Sequence, residues 1–211
     1  MATKSGSGVP GWVLAAGGAA VLVVALLIAV LTTGESGDTV TAEELAGSPS
    51  IEGEALPPAG DPAQDPSVGD PSPVVEGQDF EGSSITVGEP GQPELLVFMA
   101  SWCPHCQDEL PELVELMEQD RVPDGVRMTT VVTGLDESRD NWPPDAWLEE
   151  ENWTGPVLVD DVDGSVAEVF GQPGTPYFVA IDGDGQIAAR VSGRLPAEVV
   201  VTVLEDLAAG A

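Results

Sequence analysis

Positive charge is almost missing from this chain of 211 residues: six Lys and Arg stand against 37 Asp and Glu, a net charge of −31. Lys4 is the only charge before Glu35, so residues 35–211 hold five arginines against 37 acids, a balance of −32. A surface of that sign repels phosphate backbones and no basic stripe offsets it, which excludes nucleic acid as a partner. The acids read as a solvating surface suited to a salty habitat, where charge is screened, rather than as an acidic docking patch. Cysteine and histidine are scarce too, at two and one. Structural zinc needs four ligands, and three crowded candidates do not close around one ion. The aspartates at 160, 161 and 163, and at 182 and 184, lack the closing glutamate of a twelve-residue calcium loop and read as turns.

What is present begins with an anchor. Residues 5–34 hold no charge, and Val13–Leu31 is a continuous apolar run of 19 residues. At 1.5 Å per residue this covers about 28 Å, close to the roughly 30 Å hydrocarbon core of a bilayer. A secretory signal has a shorter apolar region, so an uncleaved signal anchor is expected. Lys4 precedes the span and no basic residue follows until Arg121, which sets the N-terminus in the cytoplasm and the remainder outside. The expected organisation is a short cytoplasmic N-terminus over 1–11, a transmembrane helix over 12–33, a disordered acidic Pro/Gly-rich linker over 34–78 and a globular domain over 79–211. The linker shows no sustained apolar period with which to order itself. As a flexible coil it would reach roughly 35–40 Å.

Within the domain, Glu94–Ala100 (ELLVFMA) reads as a buried strand. Leu110, Leu113, Val114 and Met117 mark an amphipathic helix over 104–119, kinked at Pro111. A second central strand spans Val126–Thr133. A short acidic helix lies within 141–153, opened by Pro143 and Pro144. Pro156–Val159 reads as a strand and Ser165–Phe170 as a short helix. Tyr177–Ile181 and Gln186–Val191 form a hairpin around the DGDG turn, and a helix over 196–208 closes the chain. The order implies an α/β fold, a central mixed sheet flanked by helices. Trp142, Trp147 and Trp153 read as packing residues.

Both cysteines and the histidine fall in one stretch, Trp102–Cys106 (WCPHC). Pro104 suits the first helical position, which makes Cys103 the N-cap with its sulfur facing the free N–H groups of His105 and Cys106. The positive end of the helix favours thiolate over thiol there, and a protonated His105 adds to it. Cys106, one turn further in, is shielded and suited to be the resolving thiol. A static disulfide over so short a loop removes little chain entropy. The residues by themselves leave a redox pair and a Cu(I) site open. A second signal is Gly-Thr-Pro-Tyr at 174–177, where Pro176 suits either a cis bond or plain turn chemistry.

The segment from about Ile85 to Ala209 resembles the thioredoxin superfamily, and more narrowly the membrane-anchored TlpA/ResA type. The matching stretches are LLVFMASWCPHC, the proline eight residues after Cys103, PVLVDDVDGSVAEVFG and GTPYFVAIDGDGQIAARVSG. The resemblance implies a thioredoxin-like fold and a Cys103–Cys106 disulfide that opens and closes. It also implies that Pro176 is the cis proline facing that disulfide, that Thr175 offers its backbone to a substrate strand and that Trp102 shields the thiols. The buried acid that thioredoxins carry six residues before the first cysteine is Val97 here; Asp136 and Glu137 are candidates to replace it by position, but both read better as surface acids. The CPHC motif is similar to that of oxidising thiol–disulfide oxidoreductases, whereas the TlpA/ResA type implies reduction, for example of a cytochrome c precursor.

The expectation is therefore a single-pass cell-membrane protein with an extracytoplasmic thiol–disulfide oxidoreductase domain. Cys103 and Cys106 are catalytic, Pro104 and His105 modulate the thiolate, and Trp102, Thr175 and Pro176 bind substrate. Its partners are protein thiols or disulfides and a membrane oxidase or electron-donating reductase, with no cofactor and no metal. The competing class is a non-catalytic thioredoxin-fold module or Cu(I) carrier that uses the same cysteines.

Overall fold

All six residues of Glu94–Met99 are buried, which is the mark of a strand covered on both faces rather than one. The computed structural model describes residues 40–210 and places this strand at the centre of a five-stranded sheet. The elements run α1 (Ala42–Leu45), β1 (Ser50–Glu52), a 3-10 turn (Pro62–Gln64), β2 (Val74–Gln78), β3 (Ser84–Val87), β4 (Glu94–Met99) and α2 (Pro104–Glu118). They continue with β5 (Arg127–Val132), α3 (Pro144–Glu150), β6 (Val157–Val159), α4 (Ser165–Val169), β7 (Tyr177–Ile181), β8 (Ile187–Ser192) and α5 (Ala197–Ala209).

The main sheet has the order β6-β5-β4-β7-β8. β4 pairs parallel with β5 and β5 with β6, whereas β7 runs antiparallel to β4 and β8. A parallel pair requires a crossover, and α2 supplies it between β4 and β5. One face of the sheet packs Leu95, Val97 and Met99 against Leu110 and Leu113 of α2 and Val200 and Leu204 of α5. The other face packs Leu96, Phe98 and Val179 against Val166 and Phe170 near α4, and against Val75 and Val87 of a separate antiparallel sheet, β1-β2-β3. The mixed α/β arrangement expected from the order of elements is the one observed.

Residues 40–78 are not the disordered linker expected over 34–78. They are fastened to the domain by partners far away in sequence. The Leu56 and Ala59 N–H groups donate to the carbonyls of Val169 and Gly171, each at 2.9 Å, and Gly47 N–H donates to the Asp160 carbonyl at 2.9 Å. The Arg190 guanidinium on β8 reaches both carboxylate oxygens of Asp65, at 2.8 and 2.6 Å, and donates to the Pro57 carbonyl at 2.9 Å. Gly171 adopts φ +68° where the segment crosses it, and a Cβ there would collide with the Pro57 carbonyl. A segment that orders itself on borrowed hydrogen-bond partners needs no apolar period of its own. The domain boundary thus lies at or before Val40, not at 79. The expected cytoplasmic N-terminus over 1–11, the expected span over 12–33 and residues 34–39 of the expected linker lie outside the described residues. Among the described residues no helix is long and apolar enough to cross a membrane.

Candidate active site

β4 ends at Met99, and five residues later the chain enters α2 at Pro104, so Cys103 is the N-cap of that helix with φ −79° and ψ 117°. Its carbonyl accepts from the N–H groups of Cys106 at 2.9 Å and Gln107 at 3.0 Å, the first bonds of the helix. Both cysteines are free thiols. Cys103 is 6% exposed and Cys106 fully enclosed, while Pro104 and His105 between them face solvent.

Opposite lies the start of β7. The Thr175–Pro176 peptide bond is cis, and the Cys103 Sγ donates to the Thr175 carbonyl at 3.5 Å. Trp102 is held by its indole N–H, which donates to the Gly134 carbonyl at 2.7 Å. The structure therefore gathers Trp102, Cys103, Cys106, Thr175 and Pro176 at one place, with Pro104 and His105 on its rim.

The two thiols are unlike. Burial pushes Cys103 up, but the Thr175 side chain, the N–H and thiol of Cys106 and the His105 N–H outweigh it, so this thiol lies below its ordinary range. The N–H groups make no full hydrogen bond to the sulfur. Their contribution is the field of a helix N-terminus rather than a cap in the strict sense. Burial pushes Cys106 the other way, to about 12, reinforced by the charge of Cys103. A thiolate at the mouth of the site and a protonated thiol behind it suit nucleophilic attack followed by resolution.

Val97 is fully buried and apolar, as its sequence position announced. The two proposed substitutes for the missing acid are engaged elsewhere. Asp136 accepts from the Ser138 N–H and hydroxyl at 3.0 and 2.6 Å, and Glu137 accepts from the Ala42 N–H at 2.8 Å. A buried acid that the sequence reading did not single out is Glu109, on α2. It lies three residues after Cys106, a spacing that makes the two neighbours on one helix face. Its carboxylate accepts from Arg194 Nε and the Leu195 N–H, both at 3.3 Å, and burial nevertheless holds its pKa above the ordinary value. The signal was present in the sequence: an acid on the apolar stripe of an amphipathic helix. The aspartates read as turns are turns and caps. Asp160, fully buried, accepts from the N–H groups of Val166 and Ala167 at the start of α4 and from the Thr133 hydroxyl. Trp147 and Trp153 pack in the core, and Trp142 donates to the Val40 carbonyl at 2.7 Å.

The chain is similar to several known proteins. A family model described as Redoxin matches residues 59–207. The chain is 30% identical over 138 residues to the thiol:disulfide interchange protein DsbE of Pseudomonas aeruginosa, covering 63% of this chain and 72% of that protein. It is 30% identical over 125 residues to the thiol:disulfide interchange protein HelX of Rhodobacter capsulatus, covering 57% of this chain and 63% of that protein. Among solved structures, StoA from Bacillus subtilis superposes with a TM-score of 0.50 at 26% identity, over 58% of this chain and 90% of that one.

Proposed function

The chain belongs to the redoxin family, and from that premise we propose that Cys103 and Cys106 exchange disulfides with protein substrates outside a membrane. It is a thiol–disulfide oxidoreductase of the DsbE and HelX type. The observation that carries the site assignment is the asymmetry of the two thiols across from the cis Thr175–Pro176 bond: Cys103 is lowered, and Cys106 is raised to about 12.

In the reducing direction, the Cys103 thiolate attacks one sulfur of a substrate disulfide, and the other substrate sulfur leaves and takes up a proton. Cys106 then loses its proton and attacks Cys103. The mixed disulfide breaks, the first substrate sulfur leaves and is protonated, and a Cys103–Cys106 disulfide remains. Two electrons have passed to the substrate. The oxidising direction is the reverse, with a substrate thiolate attacking the enzyme disulfide. Thr175 sets the approach through the backbone on the open side of Cys103. Glu109, the buried carboxyl beside Cys106, takes the proton that Cys106 must release. Of the two directions, the CPHC segment supports thiol oxidation, and a membrane oxidase or electron-donating reductase resets the pair. The apolar run Val13–Leu31 and the lone Lys4 support a single anchor with the domain on the outer side.

Cys106→Ser is expected to accumulate a mixed disulfide on Cys103 with a disulfide-bearing peptide, releasing the other half of that peptide as a thiol, and Cys103→Ser to abolish exchange. Undiminished exchange in Cys103→Ser would overturn the assignment. Tight one-to-one Cu(I) binding without any exchange would identify a carrier instead. A reduction potential near about −120 mV indicates thiol oxidation, and one near about −270 mV reduction.

A further inference from the structure

Five arginines and no lysine serve residues 40–210. Four of the five are committed: Arg121 to Glu198, Arg127 to Glu94, Arg190 to Asp65, and Arg194 to Asp108, Glu109 and Glu112. Arg139 alone has no carboxylate oxygen within 4.0 Å among the described residues. Its guanidinium carbon lies 4.3 Å from the centroid of the Trp102 ring, immediately before the nucleophile. The flanking acids Asp136, Glu137 and Asp140 form no ion pair with it within 4.0 Å, although Asp136 feels its charge; Asp136 is hydrogen-bonded to Ser138 and Glu137 to the Ala42 N–H.

Carboxylates are absent from the segments that face Cys103. Residues 101–107 (SWCPHCQ) and 171–177 (GQPGTPY) contain none, in a chain with 37 acids. The body of the molecule repels an acidic partner, whereas the two segments lining Cys103 add no negative charge, and Arg139 is the one cation offered there, within a loop that also carries Asp136, Glu137 and Asp140. A guanidinium laid on an indole is weakly hydrated, and its planar fork matches a carboxylate with two parallel hydrogen bonds.

We propose that Arg139, resting on Trp102, is a specificity-determining residue that receives an aspartate or glutamate side chain close to the reactive cysteine of a protein substrate. This deepens the oxidoreductase reading above and rests on it. Acidic flanking residues would thereby fix the register in which a substrate strand meets Thr175 and Cys103.

The test uses the reduced full chain and three disulfides: a peptide disulfide with glutamates flanking its cysteines, the same peptide with glutamines, and uncharged bis(2-hydroxyethyl) disulfide. The wild type is expected to react with the glutamate peptide about 3–5-fold faster than with the glutamine peptide at low salt, the gain an exposed ion pair supplies. The preference disappears in about 1 M salt. Arg139→Gln removes it and leaves the rates for the glutamine peptide and the small disulfide unchanged, while Arg139→Glu inverts it. A preference that survives in Arg139→Gln, or its absence from the wild type, overturns the proposal. Equal slowing of all three substrates in Arg139→Gln also overturns it, because Arg139 would then only brace Trp102. Failure of the wild type to react with the small disulfide would instead overturn the oxidoreductase reading beneath it.

Discussion

Two sulfurs three residues apart differ in acidity because one faces the N–H groups of a helix mouth and the Thr175 side chain while the other is sealed in apolar surroundings. Alkylation with iodoacetamide is therefore expected to label Cys103 alone at neutral pH, with Cys106 reacting only as the pH approaches about 12. Peptide mass mapping across a pH series checks this, and equal labelling at pH 7 would contradict it. The same asymmetry sets a stability window for the dithiol form. A raised thiol stabilises fully below its unfolded value, and that contribution is lost as pH rises toward about 12. Glu109→Gln removes the buried carboxyl beside Cys106. Release of the mixed disulfide is expected to slow by about 10²-fold, the scale of a general base, while its formation by Cys103 is unchanged. Stopped-flow with a fluorescent peptide disulfide separates the two steps. The thiols and Pro176 were legible in the sequence because local spacing and a family pattern define them. Arg139 was not, because nothing local says which arginine lacks a partner.

At the scale of elements, most boundaries followed from periodicity and turn chemistry. The β4 strand, α2 with its Pro111, and the β7–β8 hairpin at the DGDG turn lie within a residue or two of their expected ranges. These elements are specified by contacts close in sequence. In the DGDG turn, for example, Asp182 accepts from the N–H groups of Asp184 and Gln186, each at 2.9 Å. The aspartates after β6 do more than turn the chain. Asp160 joins three elements, taking N–H groups from α4, the Thr133 hydroxyl at the end of β5 and, through its carbonyl, the Gly47 N–H. Asp160→Ala would leave the α4 N–H groups and the Thr133 hydroxyl without acceptors, while the backbone bond to Gly47 remains. It is expected to lower stability by about 2–4 kcal/mol in urea unfolding, with Asp160→Asn costing less. A loss under about 0.5 kcal/mol would show that the cap is dispensable.

For the molecule as a whole, the segment from Val40 to Gln78 escaped the sequence because the bonds that fasten it to the domain are non-local. Asp65 and Arg190 are 125 residues apart, and both side chains are essentially enclosed, at 1% and 0% exposure. Taken alone, an arginine in an amphipathic strand and an aspartate in a Pro/Gly-rich stretch both read as surface. Asp65→Ala strands the guanidinium in the core and is expected to cost about 3–5 kcal/mol. A chain beginning at residue 79 is expected to melt far below one beginning at residue 40, as circular dichroism would record. Arg190 holds the Asp65 carboxyl below its usual range, so this part of the stability exists above the unfolded value and is lost on acidification through the folded one.

The distance along the chain between those two partners also imposes an order of events during biosynthesis. The stretch bearing Asp65 emerges early, yet the guanidinium that fastens it is made only when β8 is complete. Until then the stretch can reach its earlier partners at Asp160, Val169 and Gly171, but the ion pair that locks Asp65 to the main sheet has to wait.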